Sequence, residues 1–101
     1  MELEKTKLMN DLIDLYGGLL TDNQLTTLEF YYMDDLTLSE IAENLDISRS
    51  AVHDTVKKAS LALEMYESKL GLVRKEKEKK LLISEIDNLS IEEIKNRVEK
   101  L

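Results

Sequence analysis

Residues 37–59 read TLSEIAENLDISRSAVHDTVKKA, and this stretch decides the fold. Thr37 followed three residues later by Glu40 is a capping-box start for a helix. Ile41, Ala42 and Leu45 then fall on one helical face. Asp46 breaks the run, and Ile47 is apolar enough to plug the corner between two helices. Ser48 is a good N-cap for the segment that follows. In that segment Val52, Val56 and Ala59 recur at spacings of four and three and are expected to face inward. Ala42 is small where two helices must approach closely. Arg49, Ser50, His53, Asp54 and Lys57 are left on the outer side. A helix, a sharp turn and a second helix in this pattern form a helix-turn-helix, whose second helix can enter the DNA major groove. The bland alternative is an ordinary helical corner with a polar outer face.

Working outward, the chain has 101 residues, of which 43% are apolar and 35% charged, with three Gly and no Pro. Strands are poorly signalled, because alternating β-branched runs are absent, so an all-α protein is expected. Two segments are expected: a helix-turn-helix domain over 1–70, with its motif at 37–60, and a helical extension over 71–101. The chain has no Cys, which rules out a disulfide framework or thiolate zinc site. No apolar run approaches the ~18 residues of a membrane span. The N-terminal MELEKTKLMND is charged, unlike a signal peptide. A cytoplasmic location without membrane contact is the expectation.

Leu8, Leu12, Leu15, Tyr16 and Leu19 are spaced for one face of a first helix over 3–16, with Met9 and Ile13 widening it. Gly17-Gly18 is expected to close that helix in the left-handed conformation. A phosphate loop would require a GK[ST] that does not follow. Thr21 and Gln24 open a second helix as another capping box, with Leu25, Leu28, Tyr32 and Leu36 inward. Phe30, Tyr31 and Tyr32 could be a base-stacking platform. The neighbouring Glu29, Asp34 and Asp35 favour core packing or a partner surface instead.

Net charge is −7, and it is uneven: residues 1–70 hold 14 acidic and 6 basic residues, whereas residues 71–101 hold 8 basic and 7 acidic. Phosphate contacts need clustered Lys and Arg, so charge argues against nucleic acid while the motif argues for it. Weak DNA binding by one copy, and a need for dimers or a larger complex, is the expectation. Arg49, Ser50, His53 and Asp54 would face base edges, and Lys57 and Lys58 phosphates.

At 20–64, LTDNQLTTLEFYYMDDLTLSEIAENLDISRSAVHDTVKKASLALE resembles region 4 of bacterial sigma factors. The likeness rests on Thr21, Gln24, Leu28, Tyr32, Leu38, Glu40, Ile41, Ala42, Leu45, Ile47, Ser48, Arg49, Val52 and Ala59. The whole chain is similar to the YlxM-like family, small helix-turn-helix proteins of Gram-positive bacteria whose genes tend to sit beside that of the signal recognition particle GTPase. The resemblance implies a sigma region 4-like fold and a DNA-binding regulator connected with signal recognition particle components. Two departures stand out. The outer face of the second motif helix is poor in cations, and Asp46 stands where the family's turn Gly is expected.

The second motif helix should continue to Lys69, with Leu63, Tyr66 and Leu70 extending its stripe and Gly71 capping it. It would then overhang a three-helix domain, and an overhanging apolar stripe needs cover. Arg74–Lys80, RKEKEKK, is a charged helical run, read as a solvated surface before an RNA contact. Leu81, Leu82, Ile83, Ile86 and Leu89 form an apolar cluster. Ser90 and Glu93 open a last helix bearing Ile91, Ile94, Val98 and Leu101. A homodimer through Leu63, Tyr66, Leu70, Leu82, Ile86, Ile94 and Val98 is expected.

Catalysis and cofactors are not expected. Ser50, His53 and Asp54 lie close in sequence, but a triad needs a pocket and an oxyanion hole, and His53 is the only His. A metal at His53 with Asp54 or Glu64 would lack enough ligands. The alternative to a DNA-binding regulator is an acidic protein adaptor that docks a component of the signal recognition particle machinery without DNA.

Overall fold

The computed structural model describes residues 3–101, and their secondary structure is helical. In order, α1 spans Leu3–Tyr16, α2 Asp22–Leu28, α3 Leu38–Leu45, α4 Arg49–Leu70, α5 Leu72–Glu85 and α6 Ile91–Glu99. The chain is all-α. Its residues group into two compact units, Met1–Leu70 and Gly71–Leu101.

In the first unit α1, α2 and α3 all pack on α4. The buried face of α1 is Met9, Leu12, Ile13 and Tyr16, while Leu8, Leu15 and Leu19 stay exposed. The core stripe is therefore rotated from the expected one. Residues 9, 12, 13 and 16 satisfy the same three-and-four spacing as 8, 12, 15 and 19, and periodicity cannot choose between overlapping stripes. Tyr16 is 1% exposed, and its hydroxyl donates to Glu67 Oε1 on α4 at 2.6 Å. Its ring lies 6.0 Å from that of Tyr66.

Gly17 and Gly18 do not adopt the expected left-handed conformation. Instead α1 tightens into a 3₁₀ turn over Gly17–Leu19, in which Leu20 N–H donates to Gly17 O at 3.1 Å. Gly17 lies buried against the tip of the Leu25 side chain. A Cβ there would sit 3.0 Å from Leu25 Cδ1. The capping box of α2 is complete: Thr21 Oγ1 accepts from Gln24 N–H, and Gln24 Oε1 accepts from Thr21 N–H, both at 3.1 Å. Leu28 and Thr27 are fully buried, and Thr27 Oγ1 donates back to Asn23 O at 2.7 Å.

After Leu28 the helix widens into a π-helical turn, Glu29–Met33, ending where Asp34 N–H donates to Glu29 O at 3.0 Å. This turn was not expected from the sequence. A wider turn shifts each later residue's angular position, and Phe30 and Tyr31 pack with Leu36, Leu38, Leu45 and Val56 around a core of Ile41, Ala42 and Val52. Tyr31 meets Tyr32 edge-on at 4.9 Å. Asp35 then turns the chain at φ 55°. The aromatic run is thus largely core.

In the second unit Gly71 has φ 63°, the left-handed conformation expected where α4 stops. Here Val73 and Leu82 are the buried apolar side chains. Leu81, Ile83 and Ile86, expected to cluster with Leu82, remain exposed. The Arg97 guanidinium on α6 donates to Glu85 Oε2 on α5 at 2.7 Å. Ser90 Oγ accepts from Glu93 N–H at 3.2 Å and caps α6.

Of the residues expected at a dimer interface, two are buried within the single chain. Leu63 is 0% and Leu82 5% exposed. Tyr66 and Ile94 are half-buried, and Leu70, Ile86 and Val98 are exposed. Ile47, expected to plug the corner, is 40% exposed. Shortening Ile41 to Ala should therefore cost about 2–5 kcal/mol, as for other fully buried Ile. Ile47→Ala should cost roughly 1 kcal/mol or less. Urea unfolding followed by circular dichroism measures both.

Candidate nucleic-acid interface

The interface candidate is built by α3, the turn at 46–48 and α4. Thr37 starts α3 with both halves of a capping box: its Oγ1 accepts from Glu40 N–H at 3.1 Å, and Glu40 Oε1 accepts from Thr37 N–H at 3.0 Å. These bonds hold the Glu40 carboxyl below the usual Glu range, the backbone donor of Thr37 contributing most. At the other end Asp46 takes φ 54° and ψ 47°, a left-handed cap. Short polar side chains tolerate that conformation better than most, so Asp46 does there what a Gly usually does. Ile47 N–H then donates to Ala42 O at 3.1 Å, which closes the turn.

Ser48 begins α4 as expected, its Oγ accepting from Ala51 N–H at 3.1 Å. It also lies 3.3 Å from Ser50 Oγ, so the Ser50 hydroxyl is held near the helix start. Val52 and Ala59 are fully buried and Val56 half-buried. That anchoring turns the opposite side of α4 outward.

Arg49, Ser50, His53, Asp54, Lys57 and Lys58 are all exposed. Two of them are paired with each other: Lys58 Nζ lies 3.0 Å from Asp54 Oδ2, one helical turn away. The pair therefore adds no net charge where Lys58 alone would add one. His53 and Lys57 instead line a cleft of about 290 Å³, together with Lys5 from α1, Tyr31, Ser60 and Glu64. Sequence reasoning missed Lys5 and Ser60 here. Lys5 stands more than forty positions before His53, and no local spacing links the two.

The surroundings are acidic. Between Lys7 and Arg49 the chain holds no Lys or Arg but nine Asp and Glu, among them Glu40, Glu43 and Asp46 on α3 and its cap, all exposed. In a helix-turn-helix the first motif helix crosses the DNA backbone. Here that helix presents carboxylates.

The family model described as "Putative helix-turn-helix protein, YlxM / p13 like" matches residues 3–101. The chain belongs to this family. Among relatives, the UPF0122 protein of Exiguobacterium sibiricum is 44% identical over 91 residues, which is 90% of this chain and 86% of that protein. The UPF0122 protein of Bacillus thuringiensis is 47% identical over 91 residues, 90% of this chain and 83% of that one. A Bacillus mycoides relative matches to the same extent. Family membership and the all-α fold agree with a binding protein built on a helix-turn-helix. Among the described residues no helix is long and apolar enough to cross a membrane.

The Glu40 bonds have a pH signature. A carboxyl whose folded pKa is depressed stabilises the fold above its unfolded pKa, and that stabilisation is lost as pH falls through the folded value. The first turn of α3 should therefore loosen as pH falls below the ordinary Glu range, through the lowered value of Glu40. Carboxyl-detected NMR titration should give Glu40 a midpoint below the ordinary value of a Glu side chain. Glu40→Gln should keep the cap, as Gln24 does in α2, and remove this part of the pH dependence.

Proposed function

We propose that the chain is a DNA-binding regulatory protein of the cytoplasm, and not an enzyme, with α4 as the helix that enters the major groove. The observation behind this reading is the outer face of α4. Six polar residues, Arg49 to Lys58, are exposed together on a helix whose opposite side is anchored by Val52 and Ala59. Arg49, Ser50, His53 and Asp54 are assigned to base edges. Arg suits guanine, and an Asp carboxylate can accept from cytosine N4. Lys57 and Lys58 are assigned to phosphates.

Charge sets the strength. With Lys58 engaged by Asp54, one copy brings about two free cations to the backbone. Each phosphate neutralised contributes a slope of about −0.9 in log affinity against log salt. Affinity per copy should fall roughly tenfold between 50 and 200 mM salt. Such weak contact calls for two half-sites, so the protein acts as a homodimer. The second unit supports this, because Leu81, Ile83, Ile86, Ile91 and Val98 are exposed in a segment with only two buried apolar side chains among its described residues. A part in the signal recognition particle pathway, or its regulation, belongs to the same proposal.

A second reading is favoured by the acidic run between Lys7 and Arg49. In it, the same fold docks a basic component of the signal recognition particle machinery as an adaptor, without DNA.

Fluorescence anisotropy against a mixed genomic duplex pool separates the two readings. Binding should be measurable at low salt and should weaken steeply as salt rises. Arg49→Ala with Lys57→Ala should abolish it with circular dichroism unchanged, and should spare binding to a basic protein. Asp54→Asn should release Lys58 to the phosphates and steepen the salt slope by about one unit per copy. Stability should change by less than about 1 kcal/mol, because both partners of the Asp54–Lys58 pair are more than half exposed. Absence of binding at low salt, where electrostatics is strongest, would overturn the DNA reading in favour of the adaptor.

Light scattering on the full chain at micromolar concentration tests the dimer. The expected mass is twice the 11.7 kDa of one chain, and a monomeric mass would overturn it.

A further inference from the structure

The cleft beside the polar face of α4 is unlike the rest of its unit. Its volume, about 290 Å³, is close to the lower end of the range for small-molecule sites. Leu38 and Val56 line it as half-buried apolar groups and Tyr32 as a buried one. The exposed groups around them are Lys5, His53, Lys57, Leu61 and Glu64. Residues 1–70 contain only six Lys and Arg against 14 acidic residues, yet two of those six cations line this cleft. Opposed by the single carboxylate of Glu64 and joined by an imidazole, they make a local cationic spot in an acidic unit.

The remaining lining is suited to a planar ring. Tyr31 is half-buried, and its ring is held edge-on against Tyr32 at 4.9 Å. A ring fixed in this way offers stacking or edge contacts at little cost in side-chain freedom. The Tyr32 hydroxyl and Ser60 Oγ are 3.5 Å apart. That is long for an O–H···O bond, so both hydroxyls keep bonding capacity for a third group.

We propose that this cleft binds a small aromatic anion, a planar ring bearing a phosphate or carboxylate, with the anion at Lys5 and Lys57 and the ring against Tyr31. Because His53 and Lys57 belong both to the cleft and to the face of α4 assigned to DNA, an occupied cleft competes with DNA. The site is then an effector site. The competition rests on the DNA-binding reading, whereas the site itself does not.

The test is a ¹H–¹⁵N NMR titration of the full chain with phenyl phosphate in one arm and benzoate in the other, without DNA. Saturable shifts centred on Lys5, Tyr31, Leu38, His53, Val56 and Ser60 are expected in at least one arm. The arm that responds identifies the anion as phosphate or carboxylate. Lys5→Gln lies outside the face assigned to DNA, and should weaken ligand binding about fivefold, as loss of one partly solvated charge contact does. The spectrum of the fold should stay the same. No saturable shift in either arm up to about 10 mM, weaker than any useful affinity, would overturn the site. So would shifts that Lys5→Gln leaves unchanged. A chain that binds ligand but not DNA would retain the site and overturn the competition. A chain that binds DNA, and from which saturating ligand displaces none, would do the same.

Discussion

Everything about the face that α4 presents depends on the packing of Ile41, Ala42 and Val52. Ile41 and Val52 have no exposed surface, and Ala42 almost none. Burying them joins α3 to α4 through a turn only a few residues long. Two local devices hold the ends of α3 so that this packing is possible. The capping box at Thr37 satisfies the first orphan amides, and left-handed Asp46 reverses the chain. With the inner residues anchored, the three-and-four spacing of α4 leaves Arg49 through Lys58 no alternative but the outside. The π-helical turn belongs to the same arrangement, since it brings Phe30 and Tyr31 over the cluster.

Electrostatics pulls against the motif. A helix-turn-helix approaches a polyanion, and this unit carries far more carboxylates than cations. At about 0.1 M salt, fields from charges beyond ~10 Å are largely screened. The near charges on α4 and α3 therefore matter most. On α4 the Asp54–Lys58 pair cancels one cation, and on α3 Glu40, Glu43 and Asp46 are exposed. On the outer face of the first three turns of α4 the cations that remain are Arg49 and Lys57, and Lys57 lines the cleft together with Lys5. This distribution favours partners that offer a localised anion over a long phosphate track.

The second unit has its own constraint. Two helices of 14 and 9 residues with Val73 and Leu82 buried make a thin core. The Arg97–Glu85 pair links α6 to α5, but both side chains are partly exposed, and such a pair is worth about 1 kcal/mol or less. Apolar side chains such as Ile83 and Ile91 stay at the surface because a hairpin of helices can cover only one stripe of each.

The sequence by itself determined the helices, most of their caps and the helix-turn-helix. These rest on local chemistry: a Ser or Thr oxygen reaching an amide three residues on, a Gly or Asp accepting positive φ, an apolar group recurring every three or four residues. Thr21, Thr37, Ser48 and Gly71 were legible for that reason, as were Val52 and Ala59 as the inner face of α4. What only the tertiary structure decided was which of two overlapping stripes each element buries. Met9 and Ile13 won over Leu8 and Leu15, and Leu82 over its neighbours, because the choice depends on the helix that packs opposite. The π-helical turn and the burial of Gly17 were hidden likewise, since one follows from fitting aromatic rings over α3 and the other from contact with Leu25. The cleft was least legible of all. It joins Lys5 to His53 and Lys57 across α1 and α4, and a site assembled from distant segments leaves no spacing in the chain to read.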